Sequence, residues 1–337
     1  MELTVLWFIL ITVLFTGFFF LEGFDYGVGT LLPLVGRSDS QRGQLLRTIG
    51  PVWDGNEVWM ITAGGALFAA FPHVYATMFS AFYLALFLML VALIMRGTAF
   101  ELRGKLECPC WRKFWDGAIC FGSAVPAFLW GVAVTNLIAG LPIDANMHYQ
   151  GNFFDLLTPY TIVGGLTFLL VFAFHGAAFL SLRLTDDTLI MRSRQYALRF
   201  GSLAALAFVL CFIMTLQNTG LGSNRGAVLA LALAGLFFLL GLYAMLKLSF
   251  RPSFICGSLA IVCTTVAFFL GLFPNLMVSS LSPLWNLTIE NTSSTEYTLS
   301  IMTVAALVLV PIVLIYQCWT YWVFRQRVSP HDAEGHY

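Results

Sequence analysis

Two pairs of carboxylates stand out in a chain that carries few charges. Glu22 and Asp25 lie three residues apart, and so do Asp54 and Glu57 in the stretch PVWDGNEVW, residues 51–59. On a helix that spacing puts both members of a pair on one face. Close carboxylates hinder one another's ionisation, which suits groups that take up and release protons. Within a membrane such acids cost about 2.5–3.5 kcal/mol each on insertion scales, and they mark proton or ion paths. The second pair also has a plainer reading. Pro51 fits a first helical turn, and acids there complement the helix dipole and its free N–H groups. His175 is the third group of interest. It sits about 16 residues into an apolar segment, roughly 24 Å along a helix and near the depth of the acids. A lone histidine there reads first as a packing residue and second as part of a proton path.

Membrane helices are the elements that must position these groups. The 337 residues are 59% hydrophobic and 10% charged, against roughly 25% charged in soluble domains. Mean hydropathy is +0.85. A crossing needs about 20 apolar residues. Nine segments qualify, near 4–24, 52–70, 74–95, 115–138, 159–181, 200–217, 227–246, 254–273 and 299–323. The fold class is therefore an all-α integral membrane protein, with 1–337 as a single transmembrane domain. Nine helices accommodate two four-helix units plus one helix, although no repeat is visible in the sequence; such repeats are often weak. The first segment lacks the basic start and short apolar core of a cleaved signal peptide, so it is expected to be retained. Its apolar run extends from Leu3 to Val35, interrupted by Glu22 and Asp25 alone. At 1.5 Å per residue that is about 50 Å of helix. Either the helix outruns the hydrocarbon core, or it breaks near Gly23, Gly27 and Gly29.

Basic residues set the orientation. When the connections are assigned alternately to the two sides, every Lys and Arg of the 17 except Arg225 falls on one side. Cytoplasmic connections carry the Lys/Arg excess, so the N-terminus faces out and the C-terminus faces the cytoplasm. Cys108 and Cys110 then lie in a cytoplasmic loop, where a disulfide is not expected. A metal at this CxC needs two more ligands and none is nearby in sequence, so no metal site is expected. The other histidines, His73, His148, His331 and His336, fall in loops or the tail. Two axial ligands for a membrane haem are thus not supplied by this chain. Dinucleotide, phosphate-loop, zinc-protease and nucleophile-elbow motifs are absent, and nothing points to a nucleic-acid partner. The tryptophan pairs Trp53/Trp59, Trp111/Trp115 and Trp319/Trp322 fit an interfacial belt at the cytoplasmic ends.

Several stretches resemble subunit II of the cytochrome bd-type quinol oxidases. They are GFDYGVG (23–29), PVWDGNEVWMITAGGALFAAFPHVY (51–75), IMRGTAFELRGK (94–105), FWDGAICFGSAVPAFLWGVAVTN (114–136), GNFFDLLTPY (151–160), LFPNLMVSS (272–280) and the segment 299–322. The resemblance implies nine helices with the N-terminus outside, in a bacterial or archaeal cytoplasmic membrane. It also implies a larger subunit I that carries two b haems and one d haem, with none ligated by this chain. Such a complex oxidises membrane quinol, reduces dioxygen to water, takes its protons from the cytoplasm and generates proton motive force. Small accessory subunits occur in the family, and some members hold a structural quinone in this subunit. Carried onto this sequence, Asp54 becomes the candidate proton-path acid and Asp25 a structural or proton-linked one. Relatives carry Glu or Gln at the position of Glu57, and some have an amide at that of His175. On this reading Asp54→Asn slows oxygen reduction and leaves assembly intact. Two other functions compete: an ion-coupled transporter using the same acids, and an assembly partner without a proton role.

Overall fold

The first apolar run forms one unbroken helix, α1 (Leu3–Val35), in a computed structural model that describes residues 2–329. The glycines of α1 do not break it; they let neighbouring helices approach. A Cβ on Gly27 would lie 1.9 Å from the Phe172 carbonyl oxygen, and one on Gly29 would lie 2.0 Å from Ser123 Oγ. Small residues at helix contacts serve close packing where no hydrophobic effect drives helices together.

Ten further helices follow: α2 (Asp39–Ile49), α3 (Trp53–Ala70), α4 (Pro72–Ala81), α5 (Tyr83–Leu102), α6 (Pro109–Ala139), α7 (Pro159–Arg183), α8 (Asp187–Asn218), α9 (Arg225–Leu246), α10 (Phe250–Leu272) and α11 (Glu296–Val323). Several boundaries depart from the sequence-based expectation. The charged connection after α1 contains a helix, α2, whose start is capped by Ser38 accepting from Gln41 N. The segment expected as one helix over 74–95 is two, α4 and α5, which meet at Phe82. Helix α8 begins at Asp187, well before the expected 200, because Asp186 accepts from Thr188 N and Leu189 N and so caps a polar first turn. Pro51 lies in the turn before α3, and the N-cap is Val52, without a side-chain cap.

Eight helices among the described residues are long and apolar enough to cross a membrane, where nine were expected. Helix α3 is the one that falls short, since its first turns carry Asp54, Asn56 and Glu57. In the connection 274–298, two short strands, β1 (Asn275–Met277) and β2 (Leu287–Thr288), pair antiparallel.

Helix α1 is central and packs against α3, α6, α7 and α10. Helices α7 to α10 close a ring, each in contact with the next and α10 returning to α7. Helix α11 stands apart. It rests chiefly on α1 and α3, and only 6% of its most apolar stretch is buried. Polar contacts fasten its first turns: Trp7 Nε1 donates to the Leu299 carbonyl at 3.2 Å and to Thr303 Oγ1 at 3.1 Å.

Candidate functional site

Each residue of α1 turns the chain by about 100°, so Glu22, Asp25 and Tyr26 leave the helix on one side and Phe20 and Phe24 on the other. On the acidic side, α1 meets α3, α5 and α11 around a fully buried polar cluster. Glu22, Asp25, Asn56 and Arg96 are each 0% exposed. Arg96 of α5 donates through Nη1 to Glu22 Oε1. Its guanidinium lies 4.9 Å from the Tyr26 ring and 5.9 Å from the rings of Trp53 and Phe100. Those last two rings stack on each other at 4.8 Å. A buried charge costs several kcal/mol of solvation, and arginine's delocalised, weakly hydrated cation suits a place built of aromatic faces and one carboxylate.

Asn56 ties the acids to α11. Its Nδ2 donates to Asp25 Oδ2 at 2.7 Å, while its Oδ1 accepts from Tyr321 OH at 2.8 Å and from Gln317 Nε2 at 3.3 Å. Gln317 Oε1 in turn accepts from Trp59 Nε1 at 2.8 Å. Four buried atoms of the cluster have no hydrogen-bond partner among the described residues: Glu22 Oε2, Asp25 Oδ1, and Arg96 Nε and Nη2. Buried polar atoms are nearly always satisfied, so these call for water or for protons that come and go. The charge count agrees. One guanidinium faces two buried carboxylates, and a single added proton makes the trio neutral.

The two acidic pairs fare differently. Glu22 and Asp25 are both inside the cluster. Glu57 is half-buried beside it, close enough to interact electrostatically with Arg96 and with Asp54, whereas Asp54 is exposed on the first turn of α3. His175 reaches the expected depth but the opposite side of α1. Its Nε2 lies 3.3 Å from the Phe20 carbonyl oxygen, and its ring stacks on Phe254 at 4.6 Å and 6°. Asn56, Tyr26, Arg96, Gln317 and Tyr321 were not singled out from the sequence. Arg96 offered a signal, a charge inside an apolar run, but it reads as a loop residue when charges are counted only for orientation.

A second polar cluster joins α2 to the arginine-rich ends of α5 and α6. Asp116 is 4% exposed. It pairs with Arg42 at 2.9 Å and with Arg103 at 2.6 Å. Arg103 also reaches Asp39 at 2.6 Å, and Arg112 binds the other Asp39 oxygen.

Residues 3–324 match the family described as cytochrome bd terminal oxidase subunit II. The chain belongs to that family. The bd subunit II chain is 42% identical over 327 residues to cytochrome bd ubiquinol oxidase subunit 2 of Bacillus subtilis, covering 96% of each. It is 36% identical over 368 residues to cytochrome bd-I ubiquinol oxidase subunit 2 of Escherichia coli, covering 98% of this chain and 96% of that one. Its fold is similar to a structure of bd oxidase from Geobacillus thermodenitrificans, at a TM-score of 0.78 and 17% identity over 97% of this chain and 100% of that one. This bd subunit II is thus a subunit of a terminal oxidase complex and a multi-pass protein of the bacterial inner membrane.

Haem does not fit the histidines of this bd subunit II. His73 and His148 are exposed in connections or at a helix start, and His175 is enclosed between Phe254 and the carbonyl of Phe20. His331 and His336 lie outside the described residues.

Proposed function

We propose that this chain is the haem-free subunit of a complex that oxidises membrane quinol and reduces dioxygen to water, and that its buried cluster carries protons taken up from the cytoplasm toward the haem-bearing partner. The observation that carries this reading is the trio Glu22, Asp25 and Arg96, fully buried and holding four polar atoms without hydrogen-bond partners among the described residues. Buried polar atoms are nearly always satisfied, and residual capacity on buried acids inside an apolar layer suits a site whose proton content changes. The names of the B. subtilis and E. coli relatives support quinol as electron donor.

The partner is subunit I, with two b haems and one d haem, and the face it covers is that of α3 and α11. Helix α11 exposes apolar residues all around, among them Leu307, Ile312 and Ile315. The hydrogen bonds of Gln317 and Tyr321 to Asn56 lead from Asp25 to that face. Asp54 and Glu57 form the mouth where protons gather from the cytoplasm. The basic residues put the arginine-rich ends on the cytoplasmic side. With α4 and α5 as one crossing and α3 as another, nine crossings result: a four-helix unit of α1, α3, α4–α5 and α6, the ring α7–α10, and α11. His175 is a packing residue on the far side of α1.

An apolar cleft of about 660 Å³ between α3 and α5, floored by Phe15, Trp130 and Phe269, suits the tail of a structural quinone. Small accessory subunits would sit on the remaining lipid-facing helices.

The test is oxygen uptake by the purified complex carrying Asp25→Asn or Glu22→Gln. Turnover is expected to fall by roughly tenfold or more, the scale of a lost proton-transfer group, with b- and d-haem bands unchanged. Normal turnover at normal haem content in both variants refutes the proton-carrying role. A chain that purifies without haem bands or oxygen uptake refutes the oxidase reading.

A further inference from the structure

Behind the acidic cluster, on the side away from α11, three helices meet along a second line of polar atoms that neither Asp54 nor the partner face explains. Ser123 Oγ of α6 and Thr30 Oγ1 of α1 are both buried and have no protein partner. Ser123 faces Gly29: a Cβ there would lie 2.0 Å from the hydroxyl. Gly122, beside it, lies against α5 at Arg96, where a Cβ would come within 2.5 Å of the Arg96 Cβ. One turn nearer the cytoplasm, Cys120 Sγ donates to the Thr30 carbonyl oxygen at 3.5 Å, which sets Thr30 at the level of Cys120. One further turn along α6 is Asp116, buried and paired with Arg42 and Arg103. On α1, Tyr26 stands one turn above Thr30, buried, with Arg96 over its ring.

The groups therefore form a ladder: Asp116, Thr30, Ser123, Tyr26, then Glu22, Asp25 and Arg96. Successive rungs are about one helical turn apart or less, roughly 5–6 Å of rise. Two hydrogen bonds through one water span about the same distance, at ~2.8 Å each. Orphaned hydroxyls at that spacing suit bound water, which needs two to four polar partners.

We infer that the seam between α1, α5 and α6 is a second, water-lined proton entrance, running from the Asp116 ion-pair cluster through Thr30 and Ser123 to the buried acids. It rests on the proton-carrying reading of those acids and adds an entrance independent of Asp54. Ser123 and Thr30 are positioning residues that hold the water; they touch no substrate.

Ser123→Ala separates a relay from a structural role, because the hydroxyl makes no hydrogen bond to the protein. A merely structural serine predicts a neutral or stabilising change, since an unsatisfied polar atom is removed. In the intact complex, Ser123→Ala with Thr30→Val is expected to slow quinol-driven oxygen uptake by roughly threefold to tenfold, the range a lost water bridge gives in a limiting step. The solvent deuterium isotope effect is expected to rise, Thr30→Ser to retain the parent rate, and addition of Asp54→Asn to slow the enzyme further. Parent rates and isotope effects in the paired variant, with and without Asp54→Asn, overturn the seam. If Asp25→Asn and Glu22→Gln still slow turnover in that case, the acid cluster stands and the seam alone falls. If those variants also run at the parent rate, the proton-carrying reading falls with it.

Discussion

Removing Arg96 tests how the cluster is held together. Arg96→Met deletes the guanidinium that binds Glu22 and leaves Glu22 and Asp25 buried, with Asn56 still donating to Asp25. Removing one partner of a buried ion pair costs about 3–5 kcal/mol, because the other charge stays desolvated without compensation. Loss of the contact with the Tyr26 ring, at 4.9 Å, belongs to the same deletion and adds about 1 kcal/mol. Glu22→Gln alone removes the guanidinium's hydrogen-bonded carboxylate and leaves Asp25 as its counter-charge, so its cost is expected near the lower end of that range. The double variant places an amide opposite a thioether, with no charge left unpaired between positions 22 and 96. Its cost is expected near 1–2 kcal/mol above that of the parent, well below the sum of the single changes, because a neutral pair escapes most of the desolvation penalty. The assay is unfolding of the purified complex by detergent titration, followed by helicity, for parent, both single variants and the double. Additivity within about 0.5 kcal/mol would show that the two side chains do not depend on each other, and the account of the cluster given above would be wrong.

Four other outcomes follow from the same contacts. Asn56→Leu removes the bonds to Asp25, Tyr321 and Gln317 together. It is expected to raise the accessibility of a cysteine introduced at Tyr316 to membrane-permeant labels, and an unchanged labelling rate would show that α11 is held by other means. His175→Gln is expected to keep oxygen uptake within about twofold of the parent, since His175 faces away from the acids and the substitution removes no charge-bearing partner; a tenfold loss would put it in the path. Asp116→Asn weakens the pairs to Arg42 and Arg103, so amide exchange in α2 is expected to accelerate, whereas unaltered exchange would mean the Asp39 pairs and the short connections hold α2 without Asp116. On the opposite face, Asp144 accepts from the backbone N–H groups of His148 and Asn146 and from Gln150 Nε2, and these bonds hold its carboxyl below the usual range. A depressed carboxyl stabilises the loop above its unfolded value and loses that contribution as pH falls through its folded value. Exchange protection at the Asn146 and His148 amides should therefore be flat from neutral pH down to the ordinary carboxylate range and fall only below it; a loss starting near neutrality would contradict the assignment.

Most of the frame was legible because bilayer thickness and hydropathy are local properties of the chain. The long apolar runs 115–138, 159–181 and 254–273 became α6, α7 and α10 with modest shifts at their ends. The errors have local causes of a different kind. Helix α8 starts early because Asp186 caps a polar turn that hydropathy cannot see, and the run 74–95 is divided at Phe82 by a break that no glycine or proline announces. Within the site, the acids Glu22 and Asp25 were legible as charges in an apolar helix. Asn56 was hidden between two more conspicuous acids, and Arg96 was hidden by its usefulness as a marker of sidedness.

By itself the sequence determined that this is a multi-helix membrane protein, which end carries the arginines, that acids enter the apolar layer, and that the family is that of bd oxidase subunit II. Those conclusions rest on composition, spacing and motif, which are properties of neighbouring residues. Only the tertiary structure decided which acids meet. Glu22 and Asp25 share a guanidinium 71 or more positions away in the chain, Asn56 faces them while Asp54 does not, and His175 sits at their depth on the wrong side of α1. The reason is rotational. A sequence gives the depth of a residue along a helix, but the direction it faces across the bundle depends on how each helix turns against its neighbours, and those contacts join residues far apart in the chain.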